Sequence, residues 1–153
     1  MIIGYICSVI IIAVDQLTKF LIYGTPAASI VGDLLWFESS LNTGVAFSMF
    51  EGKSSLFIVL ATIASLVMIW LIASKKFFQP KFEKISLGLI LGGTIANVID
   101  RIAFGGVRDF IYLKFINFAI FNIADMAITI GAIMLCFSII VSVFKKEETK
   151  KEE

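Results

Sequence analysis

Four stretches of this chain, residues 2–23, 55–73, 85–103 and 122–144, are long and almost continuously apolar. Each matches the roughly 20 residues that a helix needs to cross a hydrocarbon core about 30 Å thick. The chain as a whole is poor in charge: 59% of its residues are hydrophobic and 16% are charged. A soluble domain of this length needs more charge to cover its surface. The reading is one four-helix membrane domain over residues 1–144, with a charged tail at 145–153. The first stretch is read as a retained helix rather than a cleaved leader. It has no basic residue before its apolar run, and Asp15 and Lys19 interrupt that run.

The lysines orient the spans. The connector 74–84 carries Lys75, Lys76, Lys81 and Lys84, and the tail carries Lys145, Lys146, Lys150 and Lys151. Basic residues gather on the cytoplasmic side, so both segments and both termini are expected inside. The connectors of about 24–54 and 104–121 then face outward. In the first, the β-prone stretches 30–37 and 45–50 flank Ser39, Ser40, Asn42 and Gly44, as in a small extracytoplasmic sheet or hairpin. The second is aromatic and amphipathic, which suits the membrane interface. The tail reads as disordered. No internal repeat is found. A net charge of +1 points away from nucleic acid as a partner.

The chain contains no histidine, which excludes histidine-based triads and histidine metal ligation. Cys7 and Cys136 lie in apolar runs without a CxxC spacing and read as small apolar residues. Chemistry must therefore rest on carboxylates, amides, hydroxyls, lysine and arginine.

Ionisable groups inside spans are costly and invite a functional reading. Here they collect in one outer layer: Asp15 and Lys19 in the first helix, Asn97, Asp100 and Arg101 near the end of the third, Asn122 and Asp125 at the start of the fourth, and Asp109 between them. Plainer readings exist for each. Asp15 and Lys19, spaced i, i+4, can pair along one helix face. Asn97, Asp100 and Arg101 share a face and can knit helices together or contact a substrate backbone. Asn122 and Asp125 have the spacing of a helix cap, which is compatible with catalysis because a helix N-terminus stabilises a carboxylate. Asp109 alone would pass as a loop acid. Gly88, Gly92 and Gly93 read as a close helix-packing surface. Two carboxylates at a wet membrane edge resist ionising together, so one can polarise a carbonyl while the other activates water. The rivals to hydrolysis are a small ion or solute carrier using intramembrane carboxylates and a non-catalytic scaffold.

Five blocks then carry a resemblance. They are Asp15-Gln16-Leu17-Thr18-Lys19, Asn42-Thr43-Gly44-Val45-Ala46-Phe47-Ser48, Gly92-Gly93-Thr94-Ile95-Ala96-Asn97-Val98-Ile99-Asp100-Arg101, Val107-Arg108-Asp109-Phe110, and Phe121-Asn122-Ile123-Ala124-Asp125. In this order they resemble the DQxxK, NxGxAF, GGAxGNxxDR, VVDF and FNxAD blocks of lipoprotein signal peptidases (signal peptidase II), bacterial aspartic peptidases of the cytoplasmic membrane. The resemblance implies a catalytic pair, Asp109 and Asp125. It implies supporting or substrate-binding roles for Asn97, Asp100, Arg101, Asn122, Asn42, Gly44, Asp15 and Lys19. It also implies a diacylglyceryl-modified prolipoprotein as substrate, cut before its lipidated cysteine. No metal or organic cofactor is expected. Contact with membrane lipids, inhibition by globomycin-type cyclic peptides and action as a monomer are expected.

The chain departs from the pattern at Ala96, where glycine is usual, and at Arg108, where an apolar residue is usual. It also lacks a proline before Phe121-Asn122, and the connector between the two aspartates is short. Arg108, next to Asp109, is expected to favour the ionised form of that carboxylate.

Overall fold

A computed structural model describes residues 2–44, 54–74, 80–116 and 118–152, without the side chains of 146–152. The elements run α1 (Ile2–Ile22), β1 (Ala28–Val31), β2 (Leu35–Asn42), α2 (Ser54–Ala73), α3 (Lys81–Phe104), β3 (Val107–Tyr112) and α4 (Ile123–Glu152). A single 3-10 turn, Lys114–Ile116, follows β3. All four helices are long and apolar enough to cross a membrane. The chain passes between two ends of the bundle four times. The strands lie at one end, and both described termini lie at the other.

α3 is the hub: 44% of its most apolar stretch is buried, against 11% for α4. Small residues let its neighbours approach. A Cβ on Gly88 would lie 2.3 Å from the Gly4 carbonyl oxygen, and one on Gly92 would lie 2.7 Å from that of Ser8. The expected glycine packing surface therefore seats α3 on α1. Ser8 Oγ adds a 3.0 Å hydrogen bond to the Gly88 carbonyl across the same seam. Gly93 receives α4, since a Cβ there would meet the Ala124 carbonyl at 2.4 Å. Such seams suit a bilayer, where close packing replaces the hydrophobic effect between helices. A small apolar core of Met68, Ile72, Leu87 and Leu91 joins α2 to α3. Large side chains such as Phe20, Ile102 and Phe137 point outward, as lipid-facing helices require.

Several expectations are corrected here. The stretch 30–37 is not one strand: the chain turns at Gly32, with φ of 51°, and Leu34 donates to the Val31 carbonyl at 2.9 Å. β1 and β2 form the hairpin on either side of that turn. The stretch 45–50 lies outside the described residues. The connector 104–121, expected only to lie along the interface, supplies β3, which completes an antiparallel sheet of order β1-β2-β3. Its register sets Ser40 opposite Asp109 and Asn42 opposite Val107. The tail expected to be disordered continues α4 to Glu152. Lysine and glutamate are good helix formers, and no glycine or proline between 145 and 152 stops the helix. Cys136 is exposed on α4 and Cys7 is half-buried, and both are free thiols.

Two local devices aim β3 at the bundle. Gly105 ends α3 in the left-handed conformation, φ 75°, and its N–H donates to the Arg101 carbonyl. The strand then returns beneath β2, with Val107 to Ile111 all buried. Phe121 pairs with Ile111 as a short fourth rung, which brings Asn122 and the start of α4 beside the strand.

Candidate active site

Every residue expected at the site comes to the sheet end of the bundle, where the residues form two adjoining clusters. The first is built on α1. Lys19, fully buried, has three protons to place. They reach Asp15 Oδ2 at 2.8 Å, Asp100 Oδ2 at 3.1 Å and Asn97 Oδ1 at 3.1 Å. Asp15 Oδ1 accepts the Ala124 backbone N–H at 2.9 Å, tying α1 to the positive end of α4. On the opposite side of Asp100 stands Arg108. Its backbone N–H and Nε donate to Oδ2 at 2.9 and 3.3 Å, and its Nη2 donates to Oδ1 at 2.8 Å. Asp100 therefore sits between two cations while Asp15 pairs with Lys19 alone, and all four residues are buried.

Arg108 is a correction to the sequence reading. Successive strand residues point to opposite faces, so its guanidinium pairs with Asp100 and Gln16. It makes no ion pair with its neighbour Asp109. Gln16 was not singled out either, although it stands inside a quoted block. It donates to Asp100 Oδ1 at 3.0 Å and to the Ala96 carbonyl at 3.2 Å, while its Oε1 accepts from Arg108. Strand alternation at Arg108 and helix spacing at Gln16 were the signals that could have placed both.

The second cluster contains Asp109, from the middle of β3, and Asp125, from the first turn of α4. Amides hold both. Asn122 Nδ2 donates to Asp109 Oδ1 at 2.6 Å, and Asn42 Nδ2 donates to Oδ2 at 3.2 Å. Asn97 Nδ2 donates to Asp125 Oδ1 at 2.8 Å. The helix cap expected from spacing is also present: Asp125 N donates to Asn122 Oδ1 at 2.9 Å, and Asn122 N donates to Asp125 Oδ2 at 3.3 Å. Asn122 bridges the clusters, since its Nδ2 also lies 3.3 Å from Asn97 Oδ1. Among the described residues neither carboxylate makes a salt bridge. Burial, reinforced by the charge of Asp125, raises the Asp109 carboxyl to about 7. The amide hydrogen bonds from Asn122 and Asn42 and the charge of Lys19 oppose that rise without cancelling it.

Arg101 faces the second cluster from α3. Its Nη2 donates to the Gly44 carbonyl at 3.0 Å, and its guanidinium lies 5.5 Å from the Phe57 ring centre. Gly44 in turn donates its N–H to Asn42 Oδ1 at 3.0 Å. Arg101 Nε is buried with no hydrogen-bond partner among the described residues.

A cleft of about 600 Å³ opens over the pair. Asn42, Asn97, Arg101, Asp109 and Asp125 form its polar wall. Leu113, Ile116, Phe118, Phe121, Met126 and Ile130 form an apolar wall that runs down α4. Met126 and Ile130 are exposed on the helix surface, so the cleft is continuous with the lipid-facing side of the molecule. Among the described residues, no three His, Cys, Asp or Glu side chains converge as metal ligands would. Chemically, two carboxyls that line one cleft can act as acid and base on one substrate when one of them holds a proton.

The chain is similar to known proteins over most of its length. A family model described as signal peptidase (SPase) II matches residues 7–141. The chain is 42% identical over 142 residues to a lipoprotein signal peptidase of Shouchella clausii, covering 90% of this chain and 93% of that one. It is 38% identical over 135 residues to a lipoprotein signal peptidase of Trichormus variabilis, covering 86% and 85% of the two chains. A solved structure described as a bacterial membrane enzyme superposes with a TM-score of 0.82 at 29% identity, covering 98% of this chain and 92% of that one. A second structure of the same description gives 0.79 at 27% identity, covering 89% and 91%.

Proposed function

The chain belongs to the signal peptidase II family, and from that premise we propose that it cleaves diacylglyceryl-modified prolipoproteins with Asp109 and Asp125 as the catalytic pair. It is a multi-pass bacterial membrane protease of the lipoprotein signal peptidase kind. The observation that carries the aspartic mechanism is the amide-held acidic pair at the mouth of a half-apolar cleft.

In this reading the lipid chains of the substrate lie along Met126 and Ile130. The peptide crosses the polar wall, so that the bond before the lipidated cysteine lies between the two carboxyls. The ionised member of the pair takes a proton from water as the water oxygen attacks the carbonyl carbon. The protonated member donates to the carbonyl oxygen. Collapse of the tetrahedral species breaks the C–N bond, and the proton taken from water passes to the leaving amine. The products are a new carboxylate on the released signal peptide and a free amine on the lipidated cysteine. The pair titrates as a unit, so neither member is assigned a fixed role. Asn42, Asn97 and Asn122 hold the carboxyls, and Gly44 shapes the loop edge of the cleft. Arg101, which lines the cleft, donates to a substrate carbonyl. Asp15, Lys19 and Asp100 carry the frame.

The sheet end, with the active site, faces outward. Both termini and the tail at 145–153 are cytoplasmic in this reading, which the lysines at 75–84 and 145–151 support. The domain of residues 1–144 works as a monomer, and globomycin-type peptides occupy the same cleft. A carrier would place its ionisable groups through the membrane midplane, whereas these gather at one end, so that reading is not favoured.

The test is cleavage in detergent of a prolipoprotein with and without its diacylglyceryl group, with mass spectrometry of the products. The reading expects cutting of the lipidated form alone, before the modified cysteine. Cutting elsewhere, or equal cutting of the unmodified form, would overturn the substrate assignment.

A further inference from the structure

Arg108 is one of the places where this chain leaves the family pattern, and the structure gives the residue a definite task. It immediately precedes Asp109 in β3, yet its side chain enters the other cluster. There Nε and Nη2 grip Asp100, beside the backbone N–H that also donates to it, and Nη2 donates to Gln16 at 3.0 Å. The face of the guanidinium lies 4.1 Å from the Phe104 ring centre, which covers it. A group held on this many sides fixes the backbone that bears it. The residue so fixed is the one before Asp109.

The same grip orders the atoms that lead to Asp125. Asp100 accepts from Arg108 on one side and from Lys19 on the other. Lys19 also donates to Asn97 Oδ1, and Asn97 Nδ2 donates to Asp125 Oδ1. Each link sets the orientation of the next, because an amide whose oxygen accepts from an ammonium must present its nitrogen to the carboxylate. Charge points the same way. With Arg108 the cluster holds two acids and two cations, and without it one buried carboxylate charge is left over.

We propose that Arg108 is a positioning residue that holds both members of the acidic pair in register, Asp109 through the strand backbone and Asp125 through the Asp100–Lys19–Asn97 chain. The proposal rests on the peptidase reading above. It predicts an effect on turnover rather than on substrate affinity, because Arg108 does not line the cleft.

The test compares wild type, Arg108→Val and Arg108→Lys on a diacylated prolipoprotein in detergent, with activity expressed per folded molecule. Arg108→Val is expected to lower kcat about 10-fold or more, the scale on which misplaced groups lose rate, while KM changes less than about 2-fold. Arg108→Lys keeps the charge but lacks the planar fork, so it should recover part of that loss. A kcat within about 2-fold of wild type for folded Arg108→Val would overturn the proposal, even if the melting temperature fell. If Arg108→Val does not fold, Arg108→Lys decides. A reduced kcat at constant KM supports the role, and an unchanged kcat refutes it. An inactive wild type in the same assay would instead remove the peptidase reading and is told apart by that control.

Discussion

Asp15 and Asp100 are 0% exposed and Asp109 is 2% exposed, yet these buried carboxylates live in opposite conditions. The first two are neutralised: Lys19 lies between them and Arg108 closes the far side. Asp109 and Asp125 are met by Asn42, Asn97 and Asn122, which hold a carboxylate in place without cancelling its charge. Asp15, Asp100 and Asp109 are thus alike in burial, and Asp125 is half-buried, while the outcome differs. Ion-paired acids bind helices together, whereas Asp109, held by amides, keeps its proton up to about 7. The two clusters meet at Asn97, whose oxygen faces Lys19 and whose nitrogen faces Asp125. The charged frame thereby positions the neutral amides that position the acidic pair.

That contrast can be broken first at its frame. Lys19→Met leaves Asp15 uncompensated and Asp100 with Arg108 alone. Losing one partner of a buried ion pair costs about 3–5 kcal/mol. The expected result is a large drop in the detergent or thermal midpoint, with activity lost through unfolding. A stable Lys19→Met protein would show that the frame is not held by charge.

A smaller effect is expected from pH. Asp109 binds its proton more tightly in the folded chain, at about 7 against an ordinary 3.8. Between those values the folded state carries more protons than the unfolded one, so this group's contribution to stability falls as pH rises and is fully lost above about 7. The same titration removes the shared proton. Thus kcat/KM should fall as pH rises through about 7, approaching tenfold per unit beyond it. Asp109→Asn should abolish the stability slope in that window. A slope that persists in the variant would assign it to another group.

At the smallest end, shortening the chain after residue 145 removes the last turns of α4, which are remote from both clusters. Activity within about 2-fold of wild type is expected, since such termini tolerate change. A larger loss would tie the end of α4 to the site.

The helices were legible because length and apolarity are properties of the chain itself. α1 and α2 begin and end within about two residues of the stretches read from the sequence. α3 starts earlier, at Lys81, because the charged first turn projecting beyond the apolar stretch is still helical. The polar layer was legible too, since Asp15, Lys19, Asn97, Asp100, Arg101, Asn122 and Asp125 stood out against apolar surroundings. Partnership was harder to read. Asp109 sits in a strand because β2 and Phe121 flank it, and neither neighbour is close in sequence. Arg108 looked like a partner for Asp109 by adjacency, whereas strand alternation sends it to Asp100. The α4 extension was misread because charge argued for disorder, while helix propensity and a long helix already in place prevailed.

The most direct test of the account is cleavage of a diacylated prolipoprotein in detergent by wild type, Asp109→Asn and Asp125→Asn, each checked for folding by its melting temperature. Asparagine keeps the shape of the carboxylate and removes its charge and its proton. The account predicts cut product from wild type alone, with each variant slower by on the order of 100-fold or more and neither one less stable by more than about 1 kcal/mol. A folded Asp109→Asn or Asp125→Asn protein that cleaves at the wild-type rate would contradict it.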